Sequence, residues 1–181
     1  MTLPCFIDFE ASGLGLDSYP LEVAWSYPDG TIESHLIQPE CTWRSWSKEA
    51  EKLHGLSWIE CMFQGTPPRK LMKILSNIFD ERTPVYCDGG ALDKMWLEEI
   101  YLSGFDNPNF YLFDTRELLM GLIDNQEDVY EQLKKESRDY IGKRHRAGPD
   151  VAFQVEFYKR CQGYSKTITL FDKPNIATPL S

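Results

Sequence analysis

The segment FIDFEASGLG, residues 6–15, places two acidic side chains within and just after an apolar run. Residues 3–9 are apolar and β-prone, which predicts a buried strand. Because side chains alternate along a strand, Asp8 and Glu10 should project from the same face. Two crowded, desolvated carboxylates repel each other, and a divalent cation with oxygen ligands would relieve that conflict. The alternative is a strand that ends in a solvated acidic turn.

The composition is that of a soluble globular protein with an acidic balance. The chain has 181 residues, 42% hydrophobic and 26% charged, which predicts one domain. Its net charge of −9 opposes tight, sequence-independent binding to duplex DNA, which depends on basic residues. Basic clusters at 134–135 and 143–146 indicate an uneven field, although a solvated helix face would explain them equally well.

Cysteine usage and hydropathy indicate the cytoplasm. The five cysteines are odd in number, widely spaced and without a Cys-x-x-Cys pair, which is typical of reduced thiols. No run of 18 apolar residues predicts a membrane span, and the first residues lack the pattern of a secretory signal. We therefore expect a cytoplasmic protein with no membrane partner.

The order of predicted elements indicates an α/β fold with a mixed sheet. Strands over residues 3–9, 20–27 and 31–37 form an antiparallel opening, and two short strands follow among helices. The predicted later elements are strands over 84–87 and 110–113, and helices over 47–55, after 57, and over 67–79, 91–102, 115–123, 127–140 and 148–161. We expect one domain over residues 1–163 and an extended tail over 164–181, where two prolines occur and no period is visible.

Three later residues are candidate partners for the acidic pair. Asp93 follows a predicted strand and a Gly-Gly turn, at the sheet end where α/β proteins build sites, although an Asp in a first helical turn is also favoured by the helix dipole. Asp88 is a competing carboxylate. Asp150 opens the last helix, whose amides favour the ionised form that a metal needs. His145 could reach the same site from its loop, or could be an ordinary exposed histidine.

Together these residues resemble the DEDDh 3′–5′ exonucleases, the DnaQ-like group with a ribonuclease H-like fold. The resemblance is carried by the order of Asp8-x-Glu10, Asp93 and His145-x4-Asp150. Lesser matches are Ser12-Gly13-Leu14, the His54-Gly55 segment and Asp114-Thr115. One departure is Asp88-Gly89, where many members have His-Asn, and Leu92 replaces the usual aromatic residue.

The resemblance implies a fold, a cofactor and a set of roles. The fold is a mixed five-stranded sheet of three antiparallel N-terminal strands plus parallel strands, flanked by helices. Asp8, Glu10, Asp93 and Asp150 would hold two Mg²⁺ or Mn²⁺ ions, which suit carboxylate ligands better than zinc does. His145 would act as general base, since an imidazole titrates near neutral pH.

The implied substrate is the 3′ end of single-stranded RNA or DNA, released as nucleoside 5′-monophosphates. Ser12, Gly13, Leu14 and His54 would contact the terminal nucleotide. Tryptophans at positions 43, 46, 58 and 96 could stack on bases, although such residues are more often core. Two other functions stay open: a non-catalytic module that binds nucleic acid or protein, and a hydrolase of very short oligonucleotides. A homodimer is also possible.

Overall fold

The computed structural model of the protein describes residues 2–142 and 145–171. Within them the chain forms five strands and seven helices. The strands are β1 Cys5–Ala11, β2 Pro20–Ser26, β3 Ile32–Leu36, β4 Val85–Cys87 and β5 Leu112–Asp114. The helices are α1 Lys48–His54, α2 Trp58–Gln64, α3 Pro68–Ile78, α4 Ala91–Leu102, α5 Thr115–Leu122, α6 Glu127–Ile141 and α7 Ala147–Phe171.

The strands form one mixed sheet in the order β3-β2-β1-β4-β5. β1 and β2, and β2 and β3, pair antiparallel, whereas β1 and β4, and β4 and β5, pair parallel. This confirms the predicted mixed five-stranded sheet. The parallel pairs bring the carboxyl ends of β1, β4 and β5 to one edge of the sheet, where α/β folds commonly place ligands.

The alternation of β1 separates two cores. Its odd-numbered residues Cys5, Ile7, Phe9 and Ala11 belong to the core that includes α3 and α4. Phe6 belongs to the opposite core, which includes α5, α6 and α7. Since Asp8 and Glu10 share the parity of Phe6, they face the α7 side of the sheet. This placement explains how a residue of α7 can reach them.

Strands β1 and β5 depart most from their predicted limits, each by two residues at one end or both. β1 continues to Ala11, so both carboxylates lie within a paired strand and the solvated acidic turn is excluded. The last strand begins at Leu112 instead of position 110. Phe110 is buried before the strand, where its ring packs against Phe79 at a centroid distance of 5.1 Å. Tertiary packing therefore holds this residue apart from the β4 pairing.

The end of the chain corrects another expectation. α7 continues to Phe171, so residues 164–171 are helical and not extended. A side chain at Gly163 would meet open space, and the glycine does not end the helix. Tyr164 packs against the α7-side core, and its hydroxyl donates to Gln126 Oε1 at 3.3 Å. The extended tail predicted for 172–181 and the basic pair at 143–144 lie outside the described residues, and the domain limits stay a prediction.

The structure also shows the state of the cysteines and the character of the helices. All five cysteines are free thiols, and all but Cys41 are buried. In the part of the chain that the structure describes, no helix has both the length and the apolar character needed to cross a bilayer. The cytoplasmic location stays a prediction.

Candidate active site

Three carboxylates from two elements converge beside the centre of the sheet. Asp8, Glu10 and Asp150 each place an oxygen within 4.8 Å of the others. Asp8 and Asp150 are buried and Glu10 is half-buried. β1 supplies the first two from the same face, and the first turn of α7 supplies the third. The structure thus brings Asp150 together with the acidic pair, and its role as a metal ligand stays a prediction.

The electrostatics of this cluster are unfavourable in the protein alone. Burial raises the pKa of Asp8 well above its ordinary value, and nearby Asp88, Asp93, Asp150 and Glu10 raise it further. Carboxylate oxygens are the ligands that Mg²⁺ and Mn²⁺ prefer, and a divalent cation would offset the crowded negative charge. The three-carboxylate cluster therefore fits a hard divalent cation. A metal site at this position is chemically sound, while the identity and number of ions stay a prediction.

Asp93 lies beside this cluster without joining it. It is buried at the start of α4, and its Oδ2 accepts the backbone N–H of Gly89 at 2.9 Å. Burial raises the pKa of Asp93 to about 7, although the Gly89 N–H and the Cys87 thiol act in the opposite direction. Its charge acts on Asp8, but less than the charge of Asp88 does. The role of Asp93 as a fourth ligand stays a prediction, and Asp88 remains its competitor.

Gly89 explains one departure from the family pattern. A Cβ added at this position would lie 2.4 Å from Oδ1 and 2.6 Å from Cγ of Asp93. Contacts that short do not occur, so Asp93 can fold back over residue 89 only because that residue is glycine. Gly89 thus permits this position of the Asp93 carboxylate and holds it through its N–H.

His145 stands at the entrance to α7 in an uncommon conformation. Its φ of 71° lies in the left-handed region, which few non-glycine residues adopt. Its backbone N–H donates to Asp150 Oδ2 at 2.9 Å, and its side chain is exposed. The turn therefore ties His145 to a cluster carboxylate through the main chain. Its role as a general base is a prediction.

An ion pair between a buried Glu22 and a partly exposed Arg146, which the sequence analysis missed, fixes this turn. The Arg146 guanidinium donates to both oxygens of Glu22, at 2.8 and 2.7 Å, and the Ala147 N–H donates to Glu22 Oε2 at 3.1 Å. Glu22 pairs across the sheet with Glu10, so this contact joins β2 to the start of α7 next to the cluster. The available signal was a lone acid within the apolar strand β2, because a buried carboxylate needs a partner.

A cavity of about 560 Å³ opens beside Glu10. Three predicted substrate contacts, Gly13, Leu14 and His54, line it together with Trp96. Leu14 is 79% exposed, whereas His54 is buried. An apolar cavity next to a carboxylate cluster can hold a flat group while presenting an attached phosphate to cations that the cluster would hold.

Ser12 is not among the lining residues of this cavity. Its hydroxyl accepts the Tyr19 N–H at 3.1 Å, its carbonyl accepts the Ser47 N–H at 2.7 Å, and its own N–H donates to the Tyr19 carbonyl at 2.9 Å. Ser12 therefore joins the loop after β1 to the start of α1. The structure gives Ser12 a supporting position, and its backbone contact with substrate stays a prediction.

His54 presents one unsatisfied polar atom. Its Nδ1 accepts the Leu56 N–H at 2.9 Å, so Nε2 carries the ring proton when the imidazole is neutral. Nε2 is buried without a hydrogen bond to any residue that the structure describes. Burial lowers the pKa of His54, although the Ala11 main chain raises the pKa of the ring. A neutral donor in this cavity suits a hydrogen bond to an uncharged oxygen of a bound group.

Comparison with solved structures identifies the architecture. E. coli exonuclease I in complex with a dT13 oligonucleotide matches with a TM-score of 0.69 and 15% identity, over 92% of this chain and 42% of that chain. Its zinc-bound form with single-stranded DNA matches at 0.67 and 14%, over the same shares. The chain has a ribonuclease H-like fold. Exonuclease I from Methylocaldum szegediense matches at 0.67 and 14%, over 93% of this chain and 43% of that one.

The likeness of this ribonuclease H-like chain to exonuclease I is one of fold. No family model matches the chain, and no curated protein matches it in sequence. The chain spans less than half the length of the exonuclease I chains, 42% in the dT13 complex. The shared fold and the position of the acidic cluster on it agree with the resemblance drawn from the motifs. Activity and substrate have to be argued from the site itself.

Proposed function

We propose that the protein is a metal-dependent 3′–5′ exonuclease that acts on single-stranded RNA or DNA. The observation that carries the proposal is the convergence of Asp8, Glu10 and Asp150 within 4.8 Å of one another, beside a cavity that Glu10 also lines. A carboxylate cluster can position divalent cations, and the adjoining cavity can hold a terminal nucleotide. The oligonucleotide and single-stranded DNA complexes of exonuclease I, on the same fold, support this substrate class.

In this mechanism each residue has one task. Asp8, Glu10 and Asp150, with Asp93 alongside, would hold two Mg²⁺ or Mn²⁺ ions. When bound, such ions activate a water molecule and neutralise charge on the phosphate and the leaving oxygen. His145 would accept the proton of the attacking water, and the turn that binds Asp150 keeps the histidine near the cluster. Each cycle would release one nucleoside 5′-monophosphate.

The cavity residues would hold the last nucleotide without reading its sequence. Leu14 and Trp96 offer apolar surface to a base, and Nε2 of His54 offers a hydrogen bond to the sugar or base. Apolar and stacking contacts tolerate all bases. A 2′-hydroxyl contact would be needed to select RNA over DNA. The cytoplasmic location and a possible homodimer complete the proposal.

The test is cleavage of 5′-labelled RNA and DNA oligonucleotides with Mn²⁺ or with chelator. The expected result is a metal-dependent ladder that shortens from the 3′ end. Asp8→Asn should abolish it while the circular dichroism spectrum stays that of the wild type. Asp139→Asn makes the same chemical change on the exposed face of α6 and serves as the control.

Each contrary outcome has a definite meaning. Retained cleavage in Asp8→Asn removes the acidic cluster from the mechanism. Cleavage confined to di- and trinucleotides identifies a hydrolase of very short oligomers. Binding of oligonucleotides without any cleavage, in either metal, identifies a non-catalytic module.

A further inference from the structure

A second cavity, of about 520 Å³, opens on the other side of the turn that begins α1. Its aromatic residues come from three places: Tyr19 before β2, Trp43 and Trp46 in the loop after β3, and Trp58 at the start of α2. Three of the five tryptophans of the chain therefore line one surface cavity. Trp58 is 42% exposed, Trp43 and Trp46 are half-buried, and Tyr19 is buried. The cavity therefore presents parts of several rings, and a grouped apolar surface marks a binding site more often than a single exposed side chain does.

The rings are held by their polar edges. Trp43 Nε1 donates to Glu99 Oε2 at 3.2 Å, and Trp46 Nε1 donates to Glu51 Oε2 at 2.9 Å. Trp43 also stacks on Tyr19, with centroids 5.1 Å apart and planes inclined by 19°. Because both indole N–H groups are satisfied within the protein, these side chains offer a bound molecule mainly apolar ring surface. That surface is preorganised for another flat ring.

The charge around the cavity favours an anion. Arg44 is exposed and forms no ion pair with any residue that the structure describes, whereas Lys48, exposed beside it, is paired with Glu51 at 2.9 Å. Glu40 is the single acid in the described lining. Arg44 is therefore the cation of this lining that can meet an anion, in a protein of net charge −9. A methylated ammonium group, the other common occupant of aromatic pockets, would be repelled by Arg44.

One turn connects this aromatic cavity to the candidate active site. Trp46 and Lys48 line the aromatic cavity, whereas Ser47 and Glu49 line the cavity beside Glu10. The Ser47 N–H is bound to the carbonyl of Ser12, in the loop that follows the acidic strand. Alternate residues of the same short segment thus serve two neighbouring cavities, and a flexible strand that leaves one could enter the other.

We propose that the aromatic cavity binds an unstacked nucleotide upstream of the 3′ end of the substrate strand. The base would stack on the tryptophan surface, and Arg44 would contact its phosphate. Aromatic stacking together with a basic rim is the general way to hold single strands without reading their sequence. The choice of ligand rests on the proposed exonuclease function, since that function brings a single strand to the adjoining cavity.

The test measures binding in chelator, where cleavage does not interfere. Fluorescence anisotropy of a labelled 12-mer oligothymidylate would be compared among wild type, Trp58→Ala and Arg44→Ala. Loss of one stacking residue costs about 1–3 kcal/mol, so Kd for Trp58→Ala should rise roughly 5- to 150-fold. Two control variants are Phe63→Ala, an 82% exposed aromatic on the same helix outside the cavity, and Arg69→Ala, an exposed arginine on α3. Both controls should keep the wild-type Kd.

The outcomes separate this inference from the proposed activity. Loss of 12-mer binding in the cavity variants supports the aromatic site even if the wild type cleaves nothing. If the wild type does cleave, the variants should lose efficiency on the 12-mer and keep it on thymidine 5′-monophosphate p-nitrophenyl ester, which carries a terminal nucleotide and no upstream one. Wild-type affinity in both Trp58→Ala and Arg44→Ala overturns the inference, as does a wild type that binds no oligonucleotide. Arg44 is exposed, so its variant gives an answer even if Trp58→Ala folds poorly.

Discussion

Loss of Glu22 and loss of Arg146 should lower the free energy of unfolding by different amounts. The Glu22 side chain is 4% exposed, whereas that of Arg146 is 41% exposed. Without its partner, Arg146 can turn to solvent and recover hydration, but Glu22 cannot. Arg146→Met should therefore destabilise the protein more than Glu22→Gln does, although both changes remove the same ion pair.

The magnitudes follow from what each variant leaves behind. Removing one partner of a buried pair costs about 3–5 kcal/mol. In Arg146→Met, Glu22 keeps the Ala147 N–H at 3.1 Å and the Ser34 hydroxyl at 3.3 Å. We therefore expect the lower end of that range, about 3 kcal/mol. In Glu22→Gln the amide oxygen can still accept a hydrogen bond and no charge is left buried, so we expect about 1 kcal/mol.

Urea denaturation of both single variants and the double variant measures this difference. The double variant should be more stable than Arg146→Met alone, because Glu22→Gln removes the stranded charge. At an m-value of about 2 kcal/mol/M, a loss of 3 kcal/mol lowers the midpoint by roughly 1.5 M. Equal losses in the two single variants, or strict additivity in the double variant, would refute the reasoning.

Three further predictions concern the acidic site. Gly89→Ala should displace the Asp93 carboxylate, destabilise the protein by about 1–3 kcal/mol and reduce hydrolysis. The control Gly163→Ala should instead stabilise the protein by roughly 0.5–1 kcal/mol. Thermal unfolding measures the stability of the two variants, and nuclease assays measure their hydrolysis. His145→Ala should slow turnover ~10²–10⁴-fold and leave metal binding intact, and a negligible change in single-turnover rate would remove His145 from the mechanism. Mn²⁺ at about 100 times its Kd should raise Tm of the wild type by roughly 5–10 °C and leave Asp8→Asn unchanged; an equal rise in both proteins would place the ion elsewhere.

Local pattern was sufficient to predict most of the fold and part of the site. Alternation along β1 put Asp8 and Glu10 on one face, and the start of α7 put Asp150 in a first helical turn. These features depend on near neighbours in sequence. The predicted end of α7 was wrong because the true end depends on the contact of Tyr164 with Gln126 at the start of α6. These two residues are 38 positions apart in sequence.

Long-range pairing set the limits of prediction within the site. Glu22 and Arg146 are 124 positions apart, and the sequence around either residue does not predict the other as its partner. The place of Asp93 depends on Gly89, whose missing Cβ matters only after the carboxylate has folded back over it. Likewise, the sequence around each single tryptophan is equally typical of a core residue, as for Trp43, Trp46 and Trp58. Their common cavity exists only once the loop after β3 packs beside α2.

The cost of the acidic cluster is itself an argument for what it binds. Asp8 is buried among four carboxylates that all raise its pKa, so the cluster opposes folding in the absence of a cation. A separate ion pair, Glu22 with Arg146, fixes the turn that brings Asp150 close to the other carboxylates, which repel it. A fold that only needed stability would place an uncharged side chain at position 8. Asp8→Asn should therefore stabilise the chelated protein while it abolishes hydrolysis, and this opposition between stability and activity is what a site built for metal predicts.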